Sequence, residues 1–125
     1  MTVIPTAEEF VIAAEHACGF HPVVSDAGLL ESSVIRPAMV VKGTDAYPTV
    51  WDKAAAVLHS FATSRCFVQG NKRAAWAACW LLLGMNGVHL AATVDVDAAE
   101  KLVRAVTAGE LTWQQIAERL PEFAE

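Results

Sequence analysis

Apolar and polar positions recur along this chain with helical spacing, one segment after another. Thr6-Ala-Glu-Glu9 has the spacing of a capping box, which predicts a helix from there to about Cys18, closed by Gly19. Ser25-Asp26 suits the cap of a second helix, carried by Leu29, Leu30, Val34 and Ile35 and stopped by Pro37. Residues 38–48 contain Gly43 and Pro48 and read as a loop, with a short extended piece at Met39-Val40-Val41. A third helix covers about Thr49 to Thr63. Gly70-Asn71 opens a fourth, rich in Ala, Trp and Leu, and Asn86-Gly87 closes it. After a short extended link at Val88-His89-Leu90, Asp95 starts a fifth helix that ends near Gly109. Thr112-Trp-Gln-Gln115, again with capping-box spacing, opens a sixth.

The fourth helix is apolar nearly all round, which suits a helix surrounded by others. The expectation is therefore an all-α domain spanning residues 1–125, with six helices packed around that central one. No internal repeat, low-complexity tract or linker interrupts it. Apolar residues make up 54% of the 125, and charged residues 18%, enough for a real core and too apolar for a disordered chain. The longest apolar run, Ala74 to Met85, falls short of the roughly 18 residues that a membrane span needs. The first nine residues lack the basic-then-apolar order of an export signal, so no membrane association is expected. Cys18, Cys66 and Cys79 are an odd number without metal-ligand spacing. They imply neither a disulfide framework nor a zinc site, and fit a reducing cytoplasm.

The net charge of −5 disfavours a nucleic-acid partner. Its distribution is uneven, however. No acidic residue lies between Asp52 and Asp95, while Lys53, Arg65, Lys72 and Arg73 all do. A buried helix excludes acids anyway, which accounts for residues 74–90 but not for the cations clustered just before them.

Those cations flank Phe67-Val-Gln-Gly-Asn-Lys-Arg73. Gly70 permits a tight turn and a close approach to a ligand. The turn runs straight into a helix N-terminus, where backbone N–H groups lack partners and the dipole is positive. Asn71 offers a side-chain donor, and Lys72 and Arg73 add charge, so the segment suits phosphate. The same residues also suit plain capping by Asn71 with Lys72 and Arg73 solvated.

This stretch resembles the motif of the Fido superfamily, the Fic and Doc proteins: His-x-Phe-x-Asp/Glu-Gly/Ala-Asn-x-Arg/Lys. Here it reads Arg65-Cys-Phe-Val-Gln-Gly-Asn-Lys-Arg73, with Phe67, Gly70, Asn71, Lys72 and Arg73 where the pattern wants them. Ser25-Asp-Ala-Gly-Leu-Leu-Glu-Ser-Ser-Val-Ile-Arg-Pro37 is similar to a helix near the start of Doc proteins. Met85-Asn-Gly-Val88 and Ala108-Gly-Glu-Leu111 match later landmarks, so the resemblance covers essentially the whole chain. It implies a helical bundle with the motif loop leading into the central helix. It also implies the role of toxin in a toxin–antitoxin pair, using ATP or another nucleotide to modify a protein hydroxyl. For Doc proteins the target is a threonine of elongation factor Tu. Phe67 would pack the motif, and Gly70, Asn71, Lys72 and Arg73 would hold phosphates. An antitoxin-like protein, or a second copy of the chain, would cover an apolar groove over the helices.

Two positions depart from the pattern, and both belong to the family's chemistry. The family's His is its general base, and here it is Arg65, which stays protonated near neutral pH and is left only an electrostatic role. The family's acid holds Mg²⁺, and here it is Gln69, a neutral side chain where Mg²⁺ prefers carboxylates. The site should attract anions more strongly and depend on metal less. His59 lies six positions upstream, about 600° along a helix, and so should point away from Arg65. Cys66 reads as a small apolar residue under the loop; Trp76, Trp80 and Leu83 read as core. Besides transfer, these residues admit a Fido fold recruited as a non-catalytic phosphate-binding or regulatory module, or for another reaction on an anionic substrate, with Arg65 stabilising charge.

Overall fold

The computed structural model describes residues 1–125. Its helices are α1 (Ala7–Cys18), α2 (Ala27–Ile35), α3 (Val50–Ser64), α4 (Asn71–Met85), α5 (Val96–Thr107) and α6 (Trp113–Arg119). Five of the six begin at a side-chain cap. Thr6, Thr49 and Thr112 form capping boxes with Glu9, Asp52 and Gln115, while Asp26 and Asp95 each accept a bond from the backbone N–H three residues on. Single-turn 3₁₀ segments, Arg36–Ala38 and Leu120–Phe123, extend α2 and α6 past their last α-helical turns.

The all-α expectation holds, and the fourth helix has the central place foreseen for it, in contact with α1, α3 and α5. It shares that place with α3, in which Ala54 to Leu58 are fully buried. The facing surfaces of the pair are rich in alanine: Ala54, Ala55 and Ala62 on α3, and Ala74, Ala75 and Ala78 on α4, are all buried in one cluster. Such small side chains let helix axes approach closely. Phe10, Phe61 and Phe67 pack in a row through this core, Phe10 tilted on Phe61 with ring centroids 5.4 Å apart and Phe61 stacked on Phe67 at 6.3 Å. Trp76 and Trp80 lie half-buried against it, as core residues, and Leu83 is fully buried.

The loop at 38–48 is more ordered than its composition suggests. Val40–Val41 (β1) pairs antiparallel with Thr44–Asp45 (β2) across a Lys42-Gly43 turn. Both turn residues have positive φ, 51° and 77°, the geometry of a two-residue hairpin. Val40 and Val41 are extended as expected. Their partner strand was hidden because Thr44 and Asp45 are polar and exposed.

The hairpin's exit is anchored by Arg36. Its Nε donates to Tyr47 Oη at 2.7 Å, and its Nη1 donates to Ser60 Oγ and meets His59 Nδ1, both at 2.8 Å. Tyr47 packs edge-on against Trp113, centroids 4.9 Å apart, which carries the connection on to α6. Lys53 is buried beneath, donating to the carbonyls of Pro37 and Tyr47. All of Arg36's partners here are neutral acceptors, and that dictates the state of His59. Burial, then the adjacent guanidinium, holds its pKa below the ordinary histidine value.

The entry to α4 depends on Gly70. It is left-handed, with φ of +84°, and a Cβ there would lie 2.7 Å from Cys18 Sγ and 3.2 Å from Phe20 Cζ. Glycine is therefore required twice, by conformation and by the approach of α1.

Two outcomes follow. Because His59 takes up a proton less readily folded than unfolded, stability should fall as pH drops below about 6.5. Thermal melts from pH 7.5 to 5 should show this slope shallower in His59→Asn, which keeps a neutral acceptor facing Arg36. Gly70→Ala should lose about 2–4 kcal/mol in a denaturant titration, from left-handed strain plus overpacking. In a Cys18→Ala background the loss should shrink towards the strain alone, about 1–2 kcal/mol.

Candidate functional site

The loop from Arg65 to Gly70 joins the two central helices, and its path is fixed from three sides. The side chain of Asn71, in the first turn of α4, reaches back to Phe67. Its Oδ1 accepts the Phe67 N–H at 3.0 Å and its Nδ2 donates to the Phe67 carbonyl at 2.9 Å. The segment before α2 runs alongside as a short antiparallel bridge, Val24 opposite Phe67, with Val68 N–H donating to the Val23 carbonyl at 2.8 Å. From beneath, Cys18 Sγ donates to the Gly70 carbonyl at 3.6 Å.

This bracing leaves donors free. Gly70 is the N-cap of α4 and provides no side chain to cap it. The backbone N–H groups of Gln69, Gly70, Asn71, Lys72 and Arg73 have no protein acceptor, whereas Ala74 N–H already bonds to Gly70. The turn was expected to offer Asn71 as a side-chain donor. Both polar atoms of that amide are instead engaged with the loop, so Asn71 contributes its backbone N–H and holds the turn in shape.

Above these groups lies a cavity of about 730 Å³, lined by Arg65, Lys72 and Arg73 and by Phe67, Gln69, Gly70 and Asn71, among others. That places every motif-based candidate on one surface. The ring of Phe67 is buried in the core. The three cations are exposed, none is paired with a carboxylate, and no acidic residue lines the cavity. The acid-free stretch of sequence thus becomes an acid-free pocket, from which Lys53 alone is withdrawn into the hairpin anchor. The residues do not fit Mg²⁺. Gln69 offers a neutral carbonyl where a carboxylate would be needed, and the neighbouring charges are positive.

His59 lies outside this cavity, bound to Arg36, and is not positioned to act as a base. His16, His21 and His89 are exposed, His21 pairing with Glu15 at 2.9 Å. Burial pushes the Cys66 thiol up, against a smaller opposing effect of a hydrogen bond with Ser64, so it packs as an apolar residue. Burial likewise raises Cys18, partly offset by the charge of Arg73.

Arg65 closes α3 in a left-handed conformation, φ 54° and ψ 48°, unusual for a non-glycine residue and costing about 1–2 kcal/mol. Ser25 and Thr107 also line the cavity, though nothing in the sequence singled them out for it. Ser25 read as part of a helix cap, and Thr107 sits at the end of a helix distant in sequence. A second cavity, of about 360 Å³, lies between α1, α4 and α5. Trp76, Val96 and Val103 give it an apolar floor, Glu100 and Arg104 are at its edge, and it shares Lys72 and Arg73 with the first.

The chain also has known relatives. A profile of the Fic/DOC family matches residues 7–83, which include the motif and most of α4. The chain is also 47% identical over 124 residues to Toxin Doc of Mycolicibacterium smegmatis (strain ATCC 700084 / mc(2)155), covering 99% of this chain and 95% of that protein. Matched by the family profile over more than half its length and by a relative almost end to end, the chain belongs to the Fic/Doc family.

Proposed function

We propose that this protein is a Doc-type toxin acting in the cytoplasm, and that it holds the phosphates of ATP or another nucleotide over the Gly70–Arg73 turn. The observation that carries this reading is the run of unpaired backbone N–H groups beneath Arg65, Lys72 and Arg73 in a cavity without an acid. Backbone donors at a helix start and fixed cations are what bind phosphate. The family's target, a hydroxyl of elongation factor Tu, is the natural acceptor for a transferred phosphoryl or nucleotidyl group.

The family's base catalysis is not available to these residues. Arg65 cannot accept the hydroxyl proton, and general-base catalysis is worth about 10²–10⁴-fold. What Arg65 can supply is charge stabilisation at the phosphate. The antitoxin segment that a toxin of this type requires would fit the second cavity. Its apolar residues would meet Trp76, Val96 and Val103, and an acidic side chain would meet Lys72 and Arg73. A second copy of the chain is the alternative cover.

Phosphate or ATP should bind to the native protein in a calorimetric titration, and the Asn71→Ala, Arg73→Ala double variant should bind at least tenfold more weakly. Unchanged binding would overturn the reading. With labelled ATP and elongation factor Tu, native protein should transfer little. Arg65→His with Gln69→Asp should gain about 10²-fold or more, and each single change less, because base and acid act on one transition state. No gain in the double variant would favour a recruited, non-catalytic phosphate-binding module. In light scattering, the chain should appear as a complex with its antitoxin or as a dimer. A monodisperse monomer that the antitoxin leaves unchanged would remove both partners.

A further inference from the structure

Arg65 enters the phosphate cavity from a backbone conformation that an arginine does not favour, and one turn of the chain holds it there. Ser25 Oγ donates to the Arg65 carbonyl at 3.1 Å. The backbone N–H groups of Ser25 and Asp26 both donate to the next carbonyl, that of Cys66, at 2.8 Å and 3.3 Å. The Asp26 carboxylate is occupied elsewhere, capping α2 through the Leu29 N–H at 3.0 Å. The Ser25 hydroxyl is thus the side-chain group of this turn that acts on Arg65, and its partner is forty positions away along the chain.

We infer that Ser25 is a positioning residue for Arg65. Its hydroxyl, bonded to the Arg65 carbonyl, keeps that residue left-handed and so directs the guanidinium into the cavity that both residues line. This rests on the reading of that cavity as a phosphate site. Without the hydroxyl bond, Arg65 relaxes towards the conformations that L-residues prefer, and the binding-competent fraction of molecules falls. Apparent affinity falls in the same proportion. Ser25 is exposed, so its replacement leaves the core untouched.

The test is a titration of the full chain with inorganic phosphate, in native protein and in Ser25→Ala, Ser25→Thr, Arg65→Gln and the Ser25→Ala, Arg65→Gln pair. Ser25→Ala should weaken binding about three- to tenfold, the range expected for one hydrogen bond. Ser25→Thr, which keeps the hydroxyl, should restore it. In the Arg65→Gln background Ser25→Ala should have no further effect, because its influence passes through the guanidinium. Equal binding by Ser25→Ala and native protein would overturn the inference, as would an equal loss in both backgrounds, the mark of a merely structural residue. If native protein binds no phosphate, the phosphate reading itself falls and the inference with it. The first two outcomes leave that reading standing.

Discussion

The two bonds between the Asn71 side chain and the Phe67 backbone determine how this site is built. One side chain satisfies a donor and an acceptor of the loop at once, and so joins the loop to the helix it feeds. Because the N-cap is Gly70 and Asn71 faces backwards, the first turn of α4 has no side-chain cap and its N–H groups have no protein acceptor. Phe67 is held in the core by the same clasp, which fixes the loop against α3 and, through the ring of Phe61, against α1. The site and the core are therefore one construction, and a change in the clasp is felt in both.

The charges follow a related logic. In a protein with a net charge of −5, Arg65, Lys72 and Arg73 line one cavity that no acidic residue lines, and none of the three forms an ion pair. Such a cluster repels itself, and solvent exposure keeps that repulsion affordable. An anion would relieve it further. Arg36 shows the opposite solution: neutral hydroxyl and imidazole acceptors hold one half-buried guanidinium without any counter-charge.

Some of this was legible in the sequence and some was not, for physical reasons. The caps at Thr6, Asp26, Thr49, Asp95 and Thr112 depend on residues three positions apart, so a local pattern reveals them. The motif loop was legible because Gly70 and the cations around it are close together in sequence. The direction of the Asn71 side chain was not, since it depends on the path that the loop takes back past the helix. The Arg36 anchor and the place of Ser25 and Thr107 at the cavity needed the tertiary fold, because each brings together residues from separate elements. Thr44–Asp45 escaped notice for want of any apolar mark on an exposed strand.

The alanine-rich pairing of α3 and α4 has a consequence for how such a site can change. Ala54, Ala55, Ala74, Ala75 and Ala78 are each almost fully buried, so a larger side chain has no space to occupy. Glycine in their place would loosen the helix by about 0.5–1 kcal/mol at each position. Substitution is thus penalised in both directions, and the spacing of the two helices is locked by volume. Arg65 caps the end of one of these helices and Arg73 lies in the first turn of the other, so their relative placement is inherited from the packing. Residues such as Arg65 and Gln69, exposed at the rim, can be exchanged at little structural cost while the frame that presents them stays put. A fold built in this way can change the side chains at its site while the turn between the two helices keeps its shape.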